Sequence, residues 1–309
     1  MSSSRKILVT GATGSIGKEL VGALCAKQYD VAVLVRDALK AGGVFAGQAL
    51  EIIDLQDAEW ANKVAVFSPE VVVHLASMLT SRDDLDVIPG LIASNITFGA
   101  QLLQALRPGA VKLFINTGSF AEYFYGDGQL NPAYLYSATK TAFHSIVSYY
   151  QQLSGFAVAN IIPYTVYGQF DTQPKAIDLI YRSFSDASPL NMSGGEQTLD
   201  FIHISDVVDF YCALIERSDS PQTHWSDYHL GTGQGVTLRQ IAQLMSAKLD
   251  KPENINWGAL PYRARDTMYS VAPIARIINY FGWRPVVDID AGIDRFLLLK
   301  QDAKISNQA

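Results

Sequence analysis

Nine consecutive residues, Val9-Thr10-Gly11-Ala12-Thr13-Gly14-Ser15-Ile16-Gly17, run from an apolar β-branched pattern at 6–10 directly into helical spacing at 15–27. A chain that passes from strand to helix through bare glycine backbone must open as a βα unit. The helix N-terminus then presents free amides at the turn, where a pyrophosphate is held well. The spacing is G-x-x-G-x-x-G, with Ala12 where the G-x-G-x-x-G fingerprint has its first glycine, so the motif is a related but distinct one. Gly11, Thr13, Gly14, Ser15, Ile16 and Gly17 are the candidate cofactor-binding residues of this turn.

The same rhythm continues. Apolar runs at 31–35, 51–53, 71–75, 111–116 and 158–162 alternate with helical patterns around 95–106 and 136–152. Alternating βα units predict an α/β fold with a doubly wound parallel (Rossmann) sheet. Val71-Val72-Val73-His74-Leu75 lacks polar alternation, as a strand covered on both faces should. After about residue 165 the rhythm breaks into a helix at 175–184, Pro- and Gly-bearing loops, a strand at 198–204, a helix at 206–217, a strand at 228–230 and a helix at 238–249. The expected division is a dinucleotide-binding domain at 1–165, with 200–232 returning to it, and a smaller interleaved substrate lobe at 166–199 and 233–309.

Composition narrows the function classes. Of 309 residues, 24 are Lys or Arg and 30 Asp or Glu, a net charge of −6, and no block of like charge gathers. Nucleic-acid and anionic-membrane partners are therefore not expected, and a small molecule is. The two cysteines, Cys25 and Cys212, lie far apart in apolar helical patterns and read as buried thiols rather than a disulfide or metal pair. Met1–Lys6 leads straight into the first strand without an apolar leader, and no run of 18 apolar residues follows, so a cytoplasmic protein is expected.

Several side chains carry chemistry. The second strand ends Val33-Leu34-Val35-Arg36-Asp37. An acid at this tip grips ribose hydroxyls, whereas a base meets a 2′-phosphate. Val35 and Arg36 favour NADP(H), and Asp37, 20 residues after Gly17, leaves NAD(H) open. Asp54 and Leu55 follow the third strand as candidate adenine neighbours. Tyr136-Ser137-Ala138-Thr139-Lys140 sets a phenol and an ammonium one helical turn apart, where Lys140 is expected to lower the Tyr136 pKa and make it a proton donor. Ser119 ends the fifth strand at the carboxyl edge of the sheet, where its hydroxyl can orient a carbonyl. His74, His203 and His229 sit in apolar strands and read as core or edge residues, no two histidines have ligand spacing, and no metal is expected. His144, two turns beyond Tyr136, reads as a helix-face residue with the site in reach. Tyr123-Phe124-Tyr125 suits either a packed loop or stacking on a sugar or base.

These residues resemble the extended short-chain dehydrogenase/reductases of the NAD-dependent epimerase/dehydratase type over essentially the whole chain. The likeness rests on Thr10-Gly11-x-x-Gly14-x-x-Gly17, Asp54-Leu55, His74-Leu75-Ala76-Ser77, Asn95, Thr117-Gly118-Ser119, Tyr136-x-x-x-Lys140, Val166-Tyr167-Gly168 and Asp200-Phe201-Ile202-His203-Ile204-Ser205-Asp206. It implies Tyr136 as general acid/base, Lys140 on the nicotinamide ribose, Ser119 polarising the carbonyl and Asn95 supporting a proton relay. It also implies cofactor contacts at Leu75, Ala76, Ser77 and Pro163, and substrate contacts at Ser119, Tyr136, Thr165 and Arg263. Homodimers are common among such relatives. Within the family, Phe114–Phe120, Leu230–Leu238, Gly258-Ala259-Leu260 and Met268–Ala272 are similar to the CDP-abequose synthase group, which reduces a 4-keto-dideoxyhexose on a nucleotide.

Departures bear on the reaction. Dehydratases of the family carry Asp-Glu after the Ser/Thr, and this chain has Phe120-Ala121; enzymes that also epimerise C3 and C5 carry a cysteine where Phe120 stands. Both chemistries are disfavoured. Many members have an arginine before Asp200, where this chain has Leu199, and Arg263 or Arg265 is the candidate replacement for its charge. The expected activity is NADPH-dependent reduction of the C4 ketone of a nucleotide-linked 4-keto-(di)deoxyhexose. A nucleotide-sugar 4-epimerase with retained NAD(P) is the alternative enzyme, and a non-catalytic NADP-binding sensor or scaffold the alternative of another class.

Overall fold

The computed structural model describes residues 4–106, 110–126, 128–169, 174–219 and 225–306. It divides into two compact units, 1–122 with 134–162 and 208–228, and 123–133 with 163–207 and 229–309. The expected boundaries shift in four places: the segments 123–133, 163–165, 200–207 and 229–232 all fall in the second unit, where the strand Thr198–His203 pairs with its other strands.

The first unit is organised by seven strands in the order β10-β6-β5-β4-β1-β2-β3: β1 (Lys6–Thr10), β2 (Asp30–Val35), β3 (Glu51–Asp54), β4 (Val71–His74), β5 (Leu113–Thr117), β6 (Ala157–Pro163) and β10 (Trp225–Leu230). Every pairing from β3 through β6 is parallel. Leu8, Leu34, Val72, Phe114 and Val158 share one face of the sheet, where Leu102, Leu103, Phe143 and Val147 of two helices cover them. The winding reverses between β1 and β4, so ligands are expected outside the carboxyl ends of these two strands. The helical pattern at 95–106 proves to be the last part of a longer helical run, Ile88–Ile92, a π-helical turn Ala93–Thr97 and Phe98–Ala105.

In the second unit β9 (Thr198–His203) is flanked by β7 (Thr165–Tyr167), β11 (Gly235–Thr237) and β13 (Tyr269–Ser270), and β8 (Leu190–Met192) pairs with β12 (Ile255–Trp257). Its core joins Phe201 to Ile177, Ile180, Leu238, Ile241, Met245 and Phe296. Leu238–Leu249 begins with a capping box in which Thr237 and Gln240 satisfy each other's main-chain N–H groups, which is why this helix reads so clearly in sequence. Cys212 is buried, but Cys25 is only half-buried, on the flank of its helix beside the buried Leu24. No helix among the described residues is long and apolar enough to cross a membrane.

Candidate functional site

The turn after β1 folds as its glycines require. Gly11 has φ +67°, and a Cβ there would lie 2.6 Å from the Ala76 nitrogen, so β1 and the chain leaving β4 touch through bare backbone. A Cβ on Gly17 would lie 2.3 Å from the Gly11 carbonyl oxygen. That packing seats the helix Ser15–Ala26 directly on the turn. Gly14 is its N-cap, no side chain caps the first turn, and no acid lies in it. Its amides thus face the switch point between β1 and β4 without a protein partner of their own, and they fit a dinucleotide pyrophosphate.

At the tip of β2, Arg36 and Asp37 are both exposed. Asp37 is committed to the backbone, accepting from the Lys40 N–H at 2.9 Å as N-cap of the helix Ala38–Val44. Arg36 stays as the cation of this tip. Asp54 pairs in register with Val35, and its carboxylate accepts from the Gln56 N–H, with Leu55 half-buried beside it.

Ser119, Tyr136 and Lys140 come together. Tyr136 and Lys140 lie one turn apart on the helix Leu135–Ser154, both buried, with the ammonium 5.9 Å from the phenol ring centre. Ser77, expected only as a cofactor neighbour, and Ser119 lie beside the Tyr136 hydroxyl and favour its ionised form. Burial outweighs them and pushes the Tyr136 phenol up, and Tyr134 and Glu122 add to this, so the phenol is not lowered as expected. Lys140 spends its ammonium on the Thr117 carbonyl at 2.9 Å, and burial pushes it below the usual lysine range.

Asn95 sits buried in the π-helical turn. Its Oδ1 accepts from the Met78 N–H at 2.7 Å, and its two N–H groups donate to the Met78 carbonyl and the Thr139 hydroxyl at 3.1 and 2.9 Å. Thr139 in turn donates to the Tyr136 carbonyl. Asn95 therefore ties the loop after β4 to the Tyr136 helix, and both N–H groups are spent on that task. Glu122, which sequence reasoning missed, is fully buried beneath Ser119 and accepts from the Ser119 N–H at 2.8 Å.

The histidines have settled places. His74 shares a hydrogen bond with the Thr10 hydroxyl at 2.9 Å and packs among Phe98, Phe114 and Phe143; burial pushes it down to about 3, so it is neutral. His203 is pushed down to about 4, chiefly by burial, and bonds Ser205. His144 lies 3.4 Å from a Glu122 oxygen.

In the second unit, Pro163 ends β6 and Thr165 opens β7 opposite Phe201, each half-buried. Leu199 packs on the apolar cluster of that unit. Of the two candidate arginines, Arg265 is committed: its guanidinium lies 4.4 Å from the Phe124 ring centre and donates to Asn131 and to the Pro132 and Ala133 carbonyls. It holds Phe124 and the 131–133 segment, so of the aromatic run Tyr123 and Phe124 are packed against protein while Tyr125 is exposed. Arg263 is exposed, and the described residues give its guanidinium no hydrogen bond or ion pair.

A doubly wound parallel sheet with a glycine turn at its switch point defines a Rossmann-type fold. The chain matches the NAD-dependent epimerase/dehydratase family over residues 7–231 and belongs to it. It is 28% identical to CDP-abequose synthase from Salmonella typhimurium over 94% of this chain and 97% of that protein. It is 27% identical to UDP-glucose 4-epimerase from Mycolicibacterium smegmatis, over 93% and 96% of the two chains. A solved structure of UDP-glucuronic acid 4-epimerase from Bacillus cereus, in complex with UDP-glucuronic acid and NAD, shares the fold at a TM-score of 0.83 and 22% identity, covering 96% of this chain and 99% of that one.

Proposed function

We propose that this chain is an enzyme of nucleotide-sugar metabolism that reduces the C4 ketone of a nucleotide-linked 4-keto-deoxyhexose with NADPH. The observation that carries the reading is the buried cluster of Ser119, Tyr136 and Lys140 below an anion-accepting glycine turn, in a chain similar along its length to CDP-abequose synthases. A bound nicotinamide cofactor supplies the hydride for C4. Tyr136 donates its phenolic proton to the ketone oxygen as charge develops there, and its raised pKa keeps that proton in place until then. Ser119 donates a hydrogen bond to the same oxygen, and Lys140 orients the ribose and restores positive charge beside the phenolate. The amides from Ser15 to Gly17 would hold the pyrophosphate, flanked by Leu75, Ala76 and Ser77, and Arg263 is the candidate partner of the substrate phosphates. Asn95 serves by fixing the Tyr136 helix.

The test is NADPH consumption across CDP-, dTDP-, GDP- and UDP-linked 4-keto-6-deoxyhexoses, with a deuterated nicotinamide. The expected result is one NADPH oxidised per product and deuterium at C4. The likeness to a UDP-glucose 4-epimerase supports the second reading. Interconversion of two 4-hydroxy sugars without net NADPH loss, on a cofactor that resists dialysis, would replace the reductase with that epimerase.

Cofactor choice gives a second expected result. With Asp37 held as a helix cap and Val35 in place of an acid, Arg36 is the charge that meets a 2′-phosphate. Arg36→Ala is expected to cost about 1.5–3 kcal/mol of the preference for NADPH over NADH, the scale of a charged hydrogen bond. Titration of both cofactors by fluorescence measures it, and equal affinities in the unmutated protein would overturn the NADP assignment.

A further inference from the structure

Glu122 is a carboxylate with no exposed surface, in the short 3-10 turn Phe120–Glu122 that follows Ser119. A buried acid is costly unless its oxygens are engaged. Here both are. One oxygen accepts from the Ser119 N–H at 2.8 Å, and the other accepts from the Thr141 hydroxyl at 2.9 Å. The Glu122 N–H returns a bond to the Ser119 carbonyl at 3.0 Å, so one residue binds both main-chain polar groups of Ser119. The Ser119 hydroxyl is meanwhile held by the Ala121 N–H at 3.3 Å. The chain also makes room for the acid: a Cβ on Gly118 would lie 2.6 Å from the Glu122 oxygen.

Four charged or titratable groups face this carboxylate. Tyr136, Lys140 and His144 come from the helix Leu135–Ser154, and Asp227 comes from β10. Asp227 is itself tied to the Asn160 amide, which accepts from Asn116. The Glu122 charge acts on Lys140 to oppose its burial.

We propose that Glu122 is a positioning residue of the Ser119–Tyr136–Lys140 cluster, holding the Ser119 main chain from beneath and supplying the buried counter-charge of Lys140. The roles of Ser119 and Lys140 rest on the reductase reading above; the contacts of Glu122 do not. Burial pushes the Lys140 ammonium down, and the Glu122 charge pushes it back up. Removing that charge therefore lowers the pH at which Lys140 loses its proton, and the alkaline limb of activity moves to lower pH.

The experiment uses the full chain with NADPH and two variants. Glu122→Gln keeps the shape and the acceptor for Ser119 but removes the charge. Thr141→Val removes only the hydroxyl that stabilises the ionised acid. The first readout is the pH profile of kcat on a 4-keto sugar nucleotide that the unmutated enzyme turns over. The second is the titration of Lys140 in 13C-lysine-labelled protein, its resonance identified by its loss in Lys140→Met. Glu122→Gln is expected to move both midpoints down by about one pH unit, and Thr141→Val by less in the same direction. An unchanged Lys140 midpoint in the folded variants would overturn the proposal. If Glu122→Gln fails to fold, Thr141→Val decides it. If no 4-keto sugar nucleotide is consumed by the unmutated protein, the reductase reading falls and the Lys140 titration alone still decides the role of Glu122.

Discussion

Tyr136→Phe is expected to lower turnover by roughly 10²–10⁴-fold, the usual contribution of a positioned general acid, while leaving the melting temperature and NADPH affinity close to those of the unmutated chain. The substitution removes one oxygen from a side chain whose ring packs against Val87 and Leu91, so the packing survives. What disappears is the hydroxyl beside Ser77 and Ser119. Steady-state NADPH oxidation and cofactor titration on the same preparation separate the two effects. Near-normal turnover of the true substrate would show that another group delivers the proton.

The other large effect lies away from the reacting atoms. Asp200 is fully buried in β9, where its carboxylate accepts from the Thr232 N–H and hydroxyl at 2.8 and 2.6 Å, from the Gly233 N–H at 2.8 Å and from the Ala272 N–H at 3.1 Å. A Cβ on Gly231 would lie 2.5 Å from the same carboxylate, so the loop is shaped around it. Asp200→Ala leaves these donors without their acceptor and is expected to destabilise the protein by about 3–5 kcal/mol. Asp200→Asn should rescue little, because its NH₂ would face main-chain N–H groups on one side. Urea unfolding of the three proteins measures this, and a loss below about 1 kcal/mol would mean that water replaces the carboxylate.

The parts of the molecule that were legible in sequence depend on short-range rules. The glycine turn is set by neighbours within a few residues, and its strand and helix flanks announce themselves by period. Tyr136 and Lys140 share a face because i and i+4 always do. Ser119 follows from lying two residues beyond the end of the fifth strand. The doubly wound parallel class needed only apolar runs alternating with helical patterns, whereas the strand order did not follow from them. What stayed hidden depends on partners far apart in the chain, or on which of two equal candidates is already engaged. Nothing in Arg263-Ala264-Arg265 distinguishes the two guanidinium groups, and only the folded 123–133 loop shows that Arg265 is taken. Asp37 reads in sequence as a ribose ligand, and only the fold shows its carboxylate taken as a helix cap. Proximity in a helix says nothing about burial, which pushes the Tyr136 phenol up. Glu122 runs against the rule that acids stay outside, and its one local trace is Gly118, whose missing side chain leaves space for it.

The π-helical turn at Ala93–Thr97 means that orientation here is stored as chain length. Such a turn is an α-helix carrying one surplus residue, and one residue is worth about 100° of rotation. Asn95 owes its inward aim to that surplus rather than to its own chemistry alone. A one-residue deletion between 93 and 97 would leave a more regular helix, better by every local measure, yet it would turn the amide away from Met78 and Thr139. Local regularity and service to the Tyr136 helix are in conflict at this turn, and the chain carries the irregular solution.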